Sequence, residues 1–407
     1  MFQKLQDRFD FSIFIAVMLL IGIGLIAIYS STYNHPTAKG NFDKQVYWAL
    51  FSMISFFFFY FLPHKSFRYL SVYFYAFSLL LLVSVILFGK VVSGSKSWVS
   101  LGPVGFQPSE FAKIGLIFFL AYWLSYKRRN INNLKDVGVA LLIGLVPVAL
   151  ILMQPDLGTA IVFALITFVM IFWAGLNLFA FFVVVSPAVV VFVSLFGVSA
   201  LIITLILIIL ALFFFKRDLF TSITIFVINL ASALVFNYLV KYLKPHQQKR
   251  IETFVNPSAD PLGAGYNALQ AKVAIGSGGL FGKGFMQGSQ TQLRFIPEQW
   301  TDFIFCVIGE EFGFWGSIVT LSLFFIIFLR IINILPSVKD EYSRLVLVGI
   351  LTLLFVHFGI NIGMNLGITP VIGLPLPFIS YGGSSLIVNM SLMGVLMNIY
   401  KNRRLYT

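Results

Sequence analysis

The fold class this sequence predicts is an all-α, polytopic bundle of membrane-spanning helices, and three observations predict it. Hydrophobic residues make up 59% of the 407-residue chain and charged residues only 11%, whereas an ordinary soluble domain carries about 25% charged residues. Apolar runs of spanning length recur from end to end. The basic residues between those runs fall mostly on alternate segments, as topology signals do. The bilayer is therefore the solvent for most of the chain. The single cysteine, Cys306, excludes a disulfide framework and a Cys-based metal site. His35, His64, His246 and His357 form no ligand spacing, so no metal ligands are assigned. The net charge of +13 reads as a topology signal, with no nucleic acid as partner.

A spanning helix takes about 20 apolar residues, within a range of about 17–25. Runs of that kind lie near 11–30, 46–62, 70–88, 109–126, 137–153, 159–175, 178–196, 198–215, 219–240, 302–329, 343–365 and 378–400, which makes about 12 spans. The first exceeds the roughly 7–15 residues of a signal peptide core and runs into Ser-Thr-Tyr-Asn, so it reads as a retained helix. The fourth opens with Gln107-Pro-Ser-Glu-Phe-Ala-Lys113. Pro108 suits a first turn, and Ser109 and Glu110 suit the positive end of a helix. A spacing of three puts Glu110 and Lys113 on one face, either as a local ion pair or as a charged pair lining a cavity. Between the fifth and sixth runs, Gln154-Pro-Asp-Leu-Gly158 is turn chemistry, and Asp156 either makes that turn or orders a cavity. Only Gly197 and small residues break 178–215, so a kinked pair or a re-entrant element fits there. Thr301 is a plausible N-cap for the tenth helix, with Asp302 at its positive end. Glu310 and Glu311 lie one or two turns deeper and need partners that the sequence does not name. Asp7, Asp10, Asp136, Asp218, Asp340 and Glu341 read as solvated.

With the N-terminus inside, sixteen of the 28 Lys and Arg fall on inside segments and only Lys39, Lys44, Lys90 and Lys96 on short outside loops. Short loops set orientation, and long ones cross regardless of charge. Both termini are therefore placed inside and the long loop 241–301 outside. The whole chain, 1–407, reads as one integral membrane domain.

A loop that long usually carries function or is disordered. This one is too rich in Gly, Pro and aromatic residues for a solvated tail, so it is expected to pack back onto the membrane surface. Residues 267–275 form a short amphipathic helix candidate. The stretch Gly276–Gly284 is not a nucleotide phosphate loop, because Ser277 stands where the first Gly should and Gly284 where Ser/Thr should. Its glycines, beside Lys272, Lys283 and Arg294, suit either a cradle for another phosphate or a flexible surface loop. Asp260 and Glu298 are the two candidates for a general base, and physics alone does not choose between them.

The strongest motif is Asn361-x5-Gly367-Ile-Thr-Pro370-Val-Ile-Gly373-Leu-Pro-Leu-Pro-Phe-Ile-Ser380-Tyr381-Gly-Gly-Ser-Ser385. Together with Gln-Pro-Ser-Glu-Phe-Ala-Lys, Gln-Pro-Asp-Leu-Gly-Thr, Asp-Pro-Leu-Gly-Ala-Gly-Tyr266 and Pro-Glu-x-x-Thr-Asp-Phe-Ile-Phe, it makes the chain resemble the RodA/FtsW/SpoVE (SEDS) family over nearly its whole length. The loop wording Gln290-Thr-Gln-Leu-x-Phe-Ile-Pro-Glu298 looks more like the RodA branch. Relatives usually have ten spans, so 198–240 looks like an inserted pair, which preserves sidedness. Lys96 stands near the place where many relatives carry Arg.

The resemblance implies a peptidoglycan glycosyltransferase that polymerises lipid II with release of undecaprenyl diphosphate. It implies a class B penicillin-binding transpeptidase as partner, within an elongation complex of membrane proteins at the inner membrane. Carried onto this chain, the essential loop aspartate is Asp260. Glu110, Lys113, Arg250, Tyr266, Lys272, Lys283 and Glu298 are assigned to substrate binding, and Gln154, Asp156, Ser380 and Tyr381 to the cavity. No cofactor is implied with certainty; a divalent cation, Mg2+ or Mn2+, is left open at the diphosphate. A lipid II flippase and a non-catalytic scaffold for the transpeptidase are the rival readings.

Overall fold

The computed structural model of the chain describes residues 8–92, 95–101, 104–126, 134–216, 218–242, 248 and 264–403. Among these it is mostly helical. In chain order the helices are α1 (Phe11–Thr32), α2 (Asn41–Phe61), α3 (His64–Phe88), α4 (Pro108–Leu124), α5 (Leu134–Leu152), α6 (Leu157–Trp173), α7 (Leu178–Ser194), α8 (Val198–Phe214), α9 (Leu219–Val240), α10 (Ala264–Ser277), α11 (Ser289–Gln292), α12 (Ile304–Ile334), α13 (Glu341–Asn365) and α14 (Gly383–Asn402). Seven helices are long and apolar enough to cross a membrane, and α6, α7 and α8 are shorter apolar helices of 17 residues each. The chain is a multi-pass membrane protein.

One feature departs from the all-α expectation. Between α3 and α4 the chain makes a small antiparallel sheet of β1 (Lys90–Val92), β2 (Ser95–Leu101) and β3 (Val104–Phe106). Here Val91-Val92 and the alternating Ser-Lys-Ser-Trp-Val-Ser-Leu run suit strands. Lys96 is fixed at both ends. Its N–H donates to the Gln154 carbonyl at 3.1 Å, and its ammonium donates to the Ile86 carbonyl at the end of α3 at 2.7 Å.

Helix starts follow short polar side chains that accept from otherwise orphaned N–H groups. Asp10 caps α1, Asp156 caps α6, Asn177 caps α7 and Asp340 caps α13. Asp218 accepts from Thr221 N at 2.9 Å ahead of α9. Asp10 corrects the sequence reading, because it is buried and not solvated. One carboxylate oxygen caps α1, and the other accepts from Arg330 Nη2 at 2.5 Å and Nε at 3.1 Å.

The chain forms two compact units, 1–174 with 270–368 and 372–407, and 175–269 with 369–371. In the larger unit α2 packs on α14, α3 on α4, α1 on α12, and α13 on both α4 and α6. The smaller unit has its own core of Val190, Ile208, Leu212, Ile225 and Ala233, where α7, α8 and α9 meet. Asn229 donates there to Ser186 Oγ at 3.1 Å.

Helix α12 is broken inside its length. Gly313 takes φ 66° and ψ −154°, outside helical space. A break in a membrane helix frees backbone groups that hydrocarbon cannot satisfy. The glycine-rich stretch 278–284 supplies them. Phe314 N donates to Gly279 O at 2.9 Å and Trp315 N to Leu280 O at 3.3 Å. In return Lys283 N donates to Glu310 O at 2.9 Å and Gly284 N to Glu311 O at 3.1 Å. Gly282 has φ +79°, and a Cβ there would overlap the Glu311 carbonyl. Glycine is therefore required by both conformation and approach.

Candidate functional site

The two glutamates that needed partners find them in the loop before α12 and in α1. Glu310 is 0% exposed. Its Oε1 accepts from Lys283 Nζ at 2.9 Å and Gln290 N at 2.8 Å, and its Oε2 from Thr291 N at 2.9 Å and Thr291 Oγ1 at 2.7 Å. The carboxylate thus caps the short α11 turn from outside that turn. Glu311 Oε1 accepts from Ser30 Oγ at 2.5 Å and Gln292 Nε2 at 3.5 Å. Gln299 donates to Ser31 O and Thr291 O. Arg294 donates to the Asn34 carbonyl. The loop amides at 283 and 284 are spent on α12 carbonyls, and Lys283 Nζ is paired with the Glu310 carboxylate and donates to Ser289 Oγ.

Lys113 is 1% exposed. Its ammonium donates to Glu110 Oε1 at 2.6 Å and faces His357 Nε2 at 3.1 Å. The ion pair that the spacing of three allowed is in place. Asp156 likewise makes its own turn, accepting from Thr159 N at 3.0 Å and Thr159 Oγ1 at 2.9 Å. Gln154 donates to Leu82 O at 3.0 Å. A Cβ at Gly158 would meet the Ile372 carbonyl at 2.7 Å, so the Gln-Pro-Asp-Leu-Gly turn lies against the start of the 372–382 segment.

That helix-free segment is held by a polar column on α13. His357, Asn361 and Asn365 recur every four residues, which places them on one helix face, and all three are buried. His357 Nδ1 lies 3.2 Å from Pro375 O. Asn361 Nδ2 donates to Leu374 O and Asp302 O, both at 2.8 Å. Asn365 Nδ2 donates to Asp302 O at 3.2 Å, and its Oδ1 accepts from Cys306 N at 3.2 Å. Ser380 Oγ donates to Thr301 O at 2.6 Å and accepts from Leu376 N at 2.8 Å, and Tyr381 N donates to Trp300 O at 2.9 Å. Gln45 completes the clamp, accepting from Gly382 N at 3.1 Å and donating to Ser380 O at 3.4 Å. Segment 374–382 is thus zipped to 300–306, the stretch that leads out of the large loop. Sequence reasoning missed the roles of His357 and Gln45. The four-residue spacing of polar side chains in an otherwise apolar run was the available signal for the α13 column.

Asp260 and Arg250 lie outside the described residues. Tyr266 and Lys272 are on α10, which is longer than the expected 267–275 helix. Lys272 is exposed, and its ammonium end packs over Gly367, at the C-terminal end of α13 where the helix dipole favours a cation. Gly367 closes α13 with φ +65°, Ile368 N donating to Gly363 O at 2.7 Å and Gly367 N to Met364 O at 3.0 Å. Glu298 is exposed and partial desolvation raises its carboxyl above the usual value. Burial likewise raises the Tyr381 phenol. Among the described residues no group of three or more His, Cys, Asp or Glu is placed to hold a metal ion. Chemically, the buried charges Glu110, Lys113, Glu310 and Asp10 are spent on shape, whereas Lys272 has an exposed ammonium that suits an anion.

Comparison with known proteins adds the following. The model of a family described as cell cycle protein, FtsW/RodA/SpoVE, matches residues 11–201 and 182–405. The peptidoglycan glycosyltransferase RodA of Treponema pallidum is 38% identical, over 96% of this chain and 97% of that protein. The peptidoglycan glycosyltransferase MrdB of Escherichia coli is 36% identical, over 84% of this chain and 81% of that protein. Among solved structures, one chain of a peptidoglycan synthase complex that coordinates polymerization and crosslinking superposes with a TM-score of 0.74 at 27% identity, covering 97% of this chain and 98% of that one.

Proposed function

This chain belongs to the FtsW/RodA/SpoVE family and is a peptidoglycan glycosyltransferase, and from that premise we propose that it polymerises lipid II on the outer face of the inner membrane during cell elongation. The similarity along the whole chain to glycosyltransferases of the RodA type carries the reading.

Twelve helices span the membrane in this proposal: α1 to α9 and α12 to α14, with both termini cytoplasmic and 241–301 extracytoplasmic. Ten correspond to the family's set, and 198–240 is the inserted pair. The bias of Lys and Arg toward alternate short segments supports the sidedness.

The chemistry proposed is an inverting displacement. Asp260 takes the proton from the 4-hydroxyl of the acceptor sugar, and that oxygen attacks the anomeric carbon of the lipid-linked donor. The bond from that carbon to the diphosphate oxygen breaks, and its electron pair leaves on undecaprenyl diphosphate. Fixed cations stabilise such a leaving group; Lys272, Lys283 and Arg250 are assigned to it. Tyr266 and Glu298 are assigned to substrate binding. Glu110 and Lys113 act from within the protein, together with Gln154, Asp156, Ser380 and Tyr381, by holding the walls in place. The partner is a single-pass class B transpeptidase of the elongation complex, and the likeness to a synthase-complex chain supports this.

Purified protein in detergent, given lipid II alone, is expected to make glycan strands, and Asp260→Ala to abolish them while the protein stays folded. Full activity in Asp260→Ala refutes the assignment of the base. A wild type that makes no strands in detergent, but moves lipid II across vesicle membranes, refutes the enzyme reading in favour of a flippase.

A further inference from the structure

Lys113 and His357 are both buried, and their chemistry fixes one proton arrangement. A lysine ammonium has donors only, so His357 Nε2, 3.1 Å away, must present its lone pair. The ring proton then sits on Nδ1, which faces the Pro375 carbonyl at 3.2 Å, a group that can only accept. A protonated ring would place two cations in contact inside the protein, so the ring works as a neutral, one-way connector.

Proline has no N–H, so this carbonyl is the only backbone hydrogen-bonding group Pro375 offers. Its neighbours are held by different side chains: Leu374 O by Asn361 and Leu376 N by Ser380 Oγ. Asn361 and Ser380 also grip Asp302 O and Thr301 O. A path of hydrogen bonds thus runs from Glu110 through Lys113 and His357 to the Pro375 carbonyl, and the backbone continues it to Leu374 and Leu376, whose bonds to Asn361 and Ser380 reach the stretch that leaves the large loop.

We infer that His357 is a positioning residue that ties the buried Glu110–Lys113 pair on α4 to the 372–382 segment, and through it sets the exit of the large outer loop. This inference rests on the glycosyltransferase reading, since the exit it sets belongs to the loop that carries Asp260. A histidine that merely fills space needs neither hydrogen bond, and a simple strut needs one. A bridge needs both.

Two substitutions separate the bonds. His357→Asn puts an amide nitrogen where Nδ1 stands and keeps the Pro375 link alone. His357→Gln puts a carbonyl oxygen near the Nε2 position and keeps the Lys113 link alone. Each is expected to lower kcat for strand synthesis from lipid II about tenfold, the ratio one hydrogen bond of ordinary strength gives, with KM unchanged. Hydrogen exchange of the Leu376 and Tyr381 amides is expected to speed up in both variants. The same is expected of Lys113→Met, which leaves Pro375 untouched. Wild-type kcat in either His357 variant overturns the bridge, and so does unchanged exchange in Lys113→Met. Faster exchange in all three variants, with a wild type that makes no strands, upholds the bridge and overturns the glycosyltransferase reading alone.

Discussion

Glu310→Gln removes a charge but hardly any volume, and the structure dictates what that costs. The carboxylate is held on both oxygens: Lys283 Nζ, Gln290 N and, at 3.4 Å, Ser289 Oγ donate to one, and Thr291 N and Thr291 Oγ1 to the other. A glutamine amide has one acceptor oxygen. If it keeps Lys283 and Gln290 N, its NH2 group faces the Thr291 hydroxyl, which can turn to accept, and the Thr291 N–H, which cannot. One buried N–H then lacks a partner, at about 1–3 kcal/mol. Loss of the attraction to Lys283, whose side chain is 28% exposed and therefore screened, adds less than about 1 kcal/mol. The total is about 1–4 kcal/mol. Glu310→Ala removes the acceptor from all of these donors and is expected to cost about 3–5 kcal/mol. Lys283→Met leaves the carboxylate with its other donors and costs only about 1–2 kcal/mol. Thermal unfolding in detergent gives the order, and hydrogen exchange at Gln290 and Thr291 shows where the loosening occurs. A Lys283→Met variant as unstable as Glu310→Ala, or a Glu310→Gln variant within about 0.5 kcal/mol of wild type, refutes the clamp.

Gly282→Ala meets both a left-handed backbone and the Glu311 carbonyl, so it is expected to lower the unfolding temperature and expose 278–284 to protease, whereas Gly276→Ala, with open space around it, leaves both unchanged. An unchanged Gly282→Ala protein would mean that the loop does not patch α12. His35, in the turn after α1, accepts at Nδ1 from Thr37 N at 3.3 Å and Ala38 N at 3.2 Å, and its ring lies edge-on to Trp300. Burial, and then the nearby Arg294, hold the ring below its ordinary value of 6.5. A depressed folded value means the turn's contribution is present above 6.5 and is lost as pH falls through the folded value. Ring titration by NMR should therefore give a midpoint below 6.5, and a midpoint above it contradicts the acceptor role.

The helical, membrane-embedded character was legible because spanning length and charge bias act residue by residue. The turn at Asp156 and the proline in the first turn of α4 were legible for the same local reason. Asp10 was misread as solvated because its partner, Arg330, is 320 positions away. The glycine stretch was read toward ligands because nothing local shows that Gly313 breaks a helix whose backbone then needs it. Asn361, Ser380 and Tyr381 were marked by motif, but their work, holding 372–382 onto 300–306, exists only once α13 and the loop exit are side by side. The small sheet was missed because three short strands leave little periodicity to read.

The glycine patch on α12 also bears on how the protein is made. Residues 278–284 leave the ribosome before Gly313 does, so the piece that completes the broken helix is already synthesised when that helix enters the bilayer. Were the order reversed, the exposed amides of Phe314 and Trp315 would wait in hydrocarbon for their partners. Chain direction itself thus spares the nascent protein a costly intermediate, and a circular permutant that moved 278–284 behind α12 would forfeit that protection.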